Sequence, residues 1–301
     1  MIVGYQPPQS KDKFVIWHIE GGLGKNIAAT SLVEDMAKKY SDRKLIMVVS
    51  YPEIFINNPH IHRVYRVGTT NYFYDDYIRD KDTILFKQEP YHQSGHITQK
   101  KHVIENWCDI LGLPYYEQLP KLYPNAIQKN LSSAYLRNKP VMVIQTNGGG
   151  LNSTYGYSWS RDLPYYLSLA IAEKFSSDYH IIQVTRQNSP LIPNVEHITH
   201  QTSNFEQFAI LGASEKRVLI DSFMQHAAAA MGLPSTVFWV GTSPINYGYK
   251  MHKNITANQP KGTTKMIDSY MFEYQFDGIV HECPYNDLTE IFNVNEILNS
   301  I

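Results

Sequence analysis

Apolar positions along this chain fall in short continuous runs separated by stretches with helical periodicity. Phe14-Val15-Ile16-Trp17-His18-Ile19 and Leu45-Ile46-Met47-Val48-Val49 are almost unbroken apolar runs, as expected of parallel strands covered on both faces. They predict strands over 14–19 and 44–50, and shorter runs predict two more at 63–67 and 83–88. Between them Ile27, Ser31, Leu32, Met36 and Ala37 recur at helical spacing. That stripe predicts a helix over 24–40, with others near 71–79 and 97–112. Residues 113–139 hold three prolines and no period, which reads as a linker. The second half restarts with a strand at 141–145 and a helix over 163–176. Strands at 180–185, 218–221 and 235–241 follow, then a last helix over 285–299. Strand–helix alternation of this kind predicts an α/β protein of two parallel-sheet domains, 1–137 and 138–301, with right-handed crossovers.

Candidate chemistry gathers where strands end and helices begin. Ile19-Glu20-Gly21-Gly22-Leu23-Gly24-Lys25-Asn26 closes the first strand, and Ile220-Asp221-Ser222-Phe223 closes a strand in the second half. In open α/β sheets ligands bind at this edge, and helix N-termini there favour phosphate. The first turn is no dinucleotide fingerprint, because G-x-G-x-x-G lacks its third glycine. It is no P-loop either, because Asn26 replaces Ser/Thr and Ile19 the leading glycine. What remains is a turn at Gly21, Gly22 and Gly24 that a ligand can approach closely, with Lys25 able to bring charge to a phosphate. A second loop, Thr146-Asn147-Gly148-Gly149-Gly150, leads to Ser160-Arg161-Asp162-Leu163-Pro164. Ser160 and Asp162 read as caps of the next helix, and Arg161 beside them as a grip on phosphate oxygens. Asp221, Ser222 and Thr242 of Gly241-Thr242-Ser243-Pro244 join the candidate ligand residues, Asp221 being also a plain N-cap candidate. His226 is either a ligand contact or a core histidine. Two such junctions, one in each half, point to a nucleotide-type ligand between two α/β domains.

Composition narrows the picture only slightly. Of 301 residues 43% are hydrophobic and 18% charged, which supports a packed core rather than disorder. A formal net charge of −1 gives no global field for nucleic acid, though a local basic patch is not thereby removed. Cys108 and Cys283 form no CxxC or zinc spacing, as expected of idle thiols in a reducing compartment. The N-terminus lacks the layout of a signal peptide, and no apolar run reaches the ~18–20 residues of a membrane span. These features lead us to expect a soluble, cytoplasmic protein.

Several motifs together resemble the heptosyltransferase family of GT-B-type glycosyltransferases. Asp221-Ser222-Phe223-Met224-Gln225-His226-Ala227-Ala228-Ala229-Ala230-Met231-Gly232-Leu233-Pro234 is similar to that family's D-[ST]-G-x-x-H-x-A-A-A-x-G-x-P. Gly241-Thr242-Ser243-Pro244 resembles its G-P-T-x-P, and Ser160-Arg161-Asp162-Leu163-Pro164 stands where it has S-K-R-W-P. Asn58-Pro59-His60-Ile61-His62-Arg63-Val64 and Leu111-Gly112-Leu113-Pro114 are further matches. The resemblance implies two Rossmann-like domains facing a central cleft. The N-terminal one would face the acceptor and the C-terminal one would bind a nucleotide-sugar, with the last helix able to return to the first domain. It also implies inverting, metal-independent transfer without a cofactor. Three residues depart from the pattern. Lys25 stands where the family has an acid after its glycine turn, Phe223 replaces a glycine, and Arg161 replaces a lysine. The turn G-G-L-G-K resembles phage-encoded relatives thought to glycosylate hydroxymethylated pyrimidines of phage DNA.

On this reading an acidic or histidine side chain of the first half deprotonates the acceptor. Glu20, beside the glycines, is the first choice; His92 and His96, after strand 83–88, come next; His18 reads as structural. Two acceptors stay open: modified DNA, and the lipopolysaccharide-core sugar that is the family default. Tyr72, Phe73, Tyr74 and Tyr77 offer stacking or plain helix packing. Lys38-Lys39 and Gln99-Lys100-Lys101-His102 offer phosphate contacts or solvated faces. A non-catalytic nucleotide-sugar-binding protein is the alternative of another class.

Overall fold

Two wholly parallel sheets organise the chain. The computed structural model describes residues 12–148, 157–199, 202–260 and 283–301; Gly149 and Gly150 of the second glycine loop lie outside them. By their internal contacts the residues up to His96 form one unit with Val103–Tyr123. Ile97–His102 and the residues from Pro124 onward form the other.

In the first unit β1 (Lys13–Ile19) leads through α1 (Leu23–Ala29) and α2 (Val33–Lys39) to β2 (Lys44–Val49), then to β3 (Arg63–Arg66). After α3 (Phe73–Tyr77) the chain returns to β4 (Asp82–Phe86), then α4 (Ser94–Ile97) and α5 (Val103–Leu111). The strand order is β3-β2-β1-β4. The predicted helix over 24–40 is broken at a 3-10 turn, Thr30–Leu32. There the Thr30 hydroxyl donates to Ile27 O at 2.6 Å and the Ser31 hydroxyl to Ala28 O at 2.8 Å, local bonds that compete with the helical ladder. The helix expected over 97–112 is only α5. Lys39 Nζ closes its end on the carbonyls of Leu111 and Gly112, at 2.7 and 2.8 Å. Trp107 of α5 packs edge-on against Trp17 of β1, centroids 5.6 Å apart.

Within 113–139 the expected linker carries α6 (Ala126–Asn130), started by a capping box between Asn125 and Gln128, and a 3-10 turn over Leu131–Tyr135. The second unit then runs β5 (Val141–Gln145), α7 (Tyr165–Phe175), β6 (His180–Val184), β7 (Glu196–Ile198) and α8 (Asn204–Ala213). It continues β8 (Ser214–Ile220), α9 (Phe223–Ala230), β9 (Thr236–Trp239), α10 (Pro244–Tyr247), β10 (Lys253–Thr256) and α11 (Val294–Ser300). The strand order is β10-β9-β8-β5-β6-β7. Sequence reading did not foresee β7, α8 and β10. The first and last are three and four residues long, too short for a period to show.

Each sheet reverses its strand order once among the described residues, between β1 and β4 in the first unit and between β5 and β8 in the second. These are the switch points where an open parallel sheet exposes a crevice at its carboxyl edge. No helix among the described residues is long and apolar enough to cross a membrane.

Candidate functional site

In the second unit the residues after β5, β8 and β9 converge at the switch point. Gly148 follows β5, and a Cβ there would lie 2.6 Å from Cδ of Arg161. The glycine therefore leaves the room through which the Arg161 stem crosses the loop. Arg161 keeps 40% of its side chain exposed, and its Nη2 stands 3.6 Å from Oδ2 of Asp221. Asp221, just past β8, is buried and accepts the Thr242 hydroxyl at 2.6 Å. Ser222 begins α9 without a side-chain cap. Its hydroxyl instead accepts from Gln145 Nε2 at 3.0 Å. Neither Asp221 nor Ser222 is thus spent on capping the helix.

Asp162 corrects a second capping expectation. Pro164 is the N-cap of α7 and no side chain caps the helix, and Asp162 is wholly buried behind the loop. Its carboxylate accepts from Asn147 Nδ2 at 3.0 Å, from the Gly148 amide at 3.1 Å and from the Ser158 amide at 2.9 Å. It also pairs with the buried guanidinium of Arg186. Asn147 Oδ1 in turn accepts from the hydroxyls of Thr146 and Thr185. On the other side the Gly241 amide donates to Ser160 O at 2.7 Å, in a space a Cβ would fill. Arg161 is thus anchored between two fixed neighbours, Ser160 and Asp162, while its own side chain stays partly exposed. Asn147, Asp162, Thr185 and Arg186 were not singled out as a framework from sequence.

His226 lies deeper than a ligand contact. It is buried, and Gln225 Nε2, a donor, meets its Nε2 at 3.0 Å. Nδ1 therefore carries the proton and donates to the Tyr249 hydroxyl at 2.8 Å. Burial, then the neighbouring His102, His252 and Arg161, hold its pKa well below the ordinary histidine value. Of the two sequence readings, the core histidine is the one this geometry fits.

In the first unit Gly21 takes φ +108°, a left-handed value suited to glycine. Its amide donates to Ser50 Oγ at 3.2 Å. Gly22 begins α1, which contains Gly24. The buried Asn26 clamps the turn, its amide donating to the carbonyls of Gly22 and Gly21 at 3.0 and 3.3 Å. Lys25 differs most from expectation. Instead of standing free for a phosphate, its side chain is only 6% exposed and its ammonium pairs with Glu89. The ring of Tyr91 lies 4.8 Å from the same nitrogen. Burial pulls the Lys25 pKa down, opposed by Glu89 and then Glu20.

The three candidate bases are separated by their surroundings. Glu20, 55% exposed, stands 3.0 Å from His18 Nε2 and 3.5 Å from Lys87 Nζ. His92 is exposed on the 3-10 turn Pro90–His92. His96 is buried and stacks on Tyr91, centroids 4.8 Å apart. Of the aromatic run, Phe73 and Tyr77 pack in the core while Tyr72 and Tyr74 stay exposed. A D-x-D spacing, Asp80-Lys81-Asp82, sits at the opposite, amino end of β4. There Asp82 is bonded to Arg43 at 2.8 and 2.9 Å. Among the described residues no group of three or more His, Cys, Asp or Glu is placed to hold a metal. Both thiols are free, Cys108 buried and Cys283 exposed.

No protein-family model matches the sequence, and no curated protein matches it. Solved structures do. A glycosyl transferase family 9 protein of Veillonella parvula aligns over 97% of this chain and 96% of its own, at 11% identity and a TM-score of 0.63. The E. coli ADP-heptose lipopolysaccharide heptosyltransferase II aligns over 82% and 91%, at 12% identity and 0.59. The dodecameric, iron-containing heptosyltransferase TibC of enterotoxigenic E. coli, in complex with ADP-D-β-D-heptose, aligns over 96% and 77%, at 15% and 0.64. These likenesses establish the fold: two parallel-sheet α/β units of the GT-B type.

Proposed function

We propose that this chain is a nucleotide-sugar-dependent glycosyltransferase that transfers a sugar to an acceptor hydroxyl with inversion and without a metal. The observation that carries this reading is the partly exposed Arg161, fixed over Gly148 at the switch point of the second unit. A guanidinium presents two parallel donors to phosphate oxygens, and a held one loses little freedom on binding. Asp221 is best understood as a positioning residue. A carboxylate repels a diphosphate, but bonded to Thr242 and 3.6 Å from Arg161 it orients the guanidinium. The matched TibC structure contains an ADP-sugar, which makes ADP-sugars the first donors to test.

In the reaction a carboxylate of the first unit takes the acceptor proton. The acceptor oxygen bonds the anomeric carbon from the face opposite the leaving group. The bond from that carbon to the diphosphate oxygen breaks, and the nucleoside diphosphate departs with its electron pair. Arg161 and the amides beginning α9 stabilise that growing charge. The anomeric carbon passes through an oxocarbenium-like state, as in glycoside hydrolysis.

The acceptor is either a hydroxymethylated pyrimidine in DNA or a lipopolysaccharide-core sugar. The turn Gly21–Lys25 supports the first, and the name of the matched E. coli heptosyltransferase II supports the second. Offering both acceptors with ADP-sugars and other nucleotide-sugars, and reading mass gain by mass spectrometry, decides between them. Binding of a nucleotide-sugar with no transfer and no donor hydrolysis returns the chain to a binding protein.

A further inference from the structure

At the switch point of the first unit one carboxylate follows each of the paired strands β1 and β4, and the two are held in different ways. Glu20 follows β1, is more than half exposed, and touches only His18 and Lys87 among the charged groups described. Glu89 follows β4, the strand paired with β1 at the switch point. One carboxylate oxygen of Glu89 pairs with the buried Lys25 ammonium. The other accepts a 3.4 Å bond from the Tyr91 amide. Yet 30% of the Glu89 side chain remains exposed. The pair is therefore buried on its lysine side and open on its carboxylate side.

A buried ion pair gains little stability over an apolar pair of the same volume, so stability alone is a poor reason for this one. Its geometry does something an apolar pair cannot. Lys25, caged by Gly21, the Tyr91 ring and Glu89, fixes the Glu89 carboxylate at the ligand edge of the sheet and leaves one face open. Binding a substrate there requires little reorientation of the carboxylate.

We propose that Glu89, held by Lys25, is the proton acceptor of the transfer reaction, in preference to Glu20. This rests on the glycosyltransferase reading and assigns a residue within it. The acceptor O–H bond breaks and its proton passes to the Glu89 carboxylate. The oxygen pair forms the bond to the anomeric carbon, and the bond from that carbon to the diphosphate breaks with its pair. Water takes the proton from Glu89 after product release. Lys25 is the positioning residue.

The test uses the full chain, nucleotide-sugar donors with ADP-sugars among them, hydroxymethylcytosine DNA and a lipopolysaccharide-core sugar. Nucleoside diphosphate release, transfer or hydrolysis alike, is followed across pH. Glu89→Gln is expected to lower turnover roughly 10²–10⁴-fold, the range for loss of a general base, with ADP affinity by calorimetry unchanged. Glu20→Gln is expected to give the smaller loss. Lys25→Met is expected to lower kcat at least roughly tenfold with ADP affinity unchanged, and Lys25→Arg, which keeps a cation beside Glu89, to recover part of that loss; a purely structural lysine would leave the kcat of the folded Lys25→Met variant near wild type. Where thermal melts show Glu89→Gln unfolded, the Lys25→Met/Glu89→Gln double variant, which leaves no unpaired buried charge, takes its place. Turnover within tenfold of wild type in folded Glu89→Gln or the double variant overturns the assignment, as does wild-type kcat in folded Lys25→Met. A wild-type chain that turns over none of the donors overturns the glycosyltransferase reading itself, and the assignment with it.

Discussion

At the scale of single residues, the second unit's site depends on small clearances and one buried charge pair. Gly148→Ala would set a methyl group against the Arg161 stem. We expect nucleoside diphosphate affinity to fall several-fold in calorimetry while thermal stability changes by no more than about 1 kcal/mol. Arg161→Ala is expected to weaken the same binding by about 1.5–3 kcal/mol, the worth of a charge-assisted hydrogen bond. Unchanged affinity would remove Arg161 from the site. Asp162→Asn tests the framework. It leaves the Arg186 guanidinium buried without its counter-charge, at a cost of about 3–5 kcal/mol. Urea unfolding should show that loss, and a loss below about 1 kcal/mol would mean that Arg186 finds another partner. Arg161 and Gly148 could be picked out from residue type and spacing. The Asp162–Arg186 pair could not, because the Asp-Leu-Pro spacing reads equally well as a helix cap.

At the scale of elements, the missed helix α8 carried a readable start signal. Ser203 and Glu206 form a reciprocal capping box, with the Glu206 amide donating to Ser203 Oγ at 3.2 Å and the Ser203 amide to Glu206 Oε2 at 2.7 Å. S-x-x-E before an apolar run is a known helix opening. Ser203→Ala should cost about 1 kcal/mol in chemical denaturation. No measurable change would show that packing alone holds α8. The opposite error, one continuous helix over 24–40, arose because apolar spacing survives a 3-10 turn. Only the hydroxyl bonds of Thr30 and Ser31, and the Lys121 amide donating to Thr30 Oγ1 at 2.9 Å, show why the ladder breaks there.

At the scale of the whole molecule, a group of buried histidines couples folding to pH. His102 packs on Tyr249, whose hydroxyl meets His226, and His252 lies against the same ring. Burial pushes His102 down to about 4, against the slight opposing effect of its bond to the Tyr247 backbone. Burial likewise lowers His226 and His252. Unfolded, each titrates near its ordinary value, so below about pH 6.5 the unfolded chain binds more protons than the folded one. The stability that these neutral rings contribute is complete above that pH and drains away as the pH falls toward 4. His102 alone accounts for roughly 3 kcal/mol of it. His102→Asn should flatten the fall of the melting temperature between pH 6.5 and 4.5 relative to wild type. Parallel curves would show that carboxylates, not this ring, set the acid limit. His102 lies in Ile97–His102, the segment grouped with the second unit although its neighbours on both sides belong to the first. Acid should therefore loosen that segment early, and hydrogen exchange over residues 97–102 would register it.

What the sequence determined by itself is the part written in local order. Apolar runs and helical stripes are properties of neighbouring residues, and they made the α/β class and the strands at 14–19, 44–50 and 141–145 legible. The strand-to-helix junctions and their glycines were legible for the same reason, since a tight turn is made by the residues within it. Charge partners are not a local property. Lys25 read as a free cation because its ion-pair partner lies 64 residues away in the chain. Glu89 reaches it only when β4 is laid beside β1. Tertiary structure likewise turned Asp162 from a cap into the centre of a buried network and drew His226 into the core. Burying a polar or charged group is costly unless a partner meets it, so the fold chose those partners from distant parts of the chain, where no sequence period records the choice.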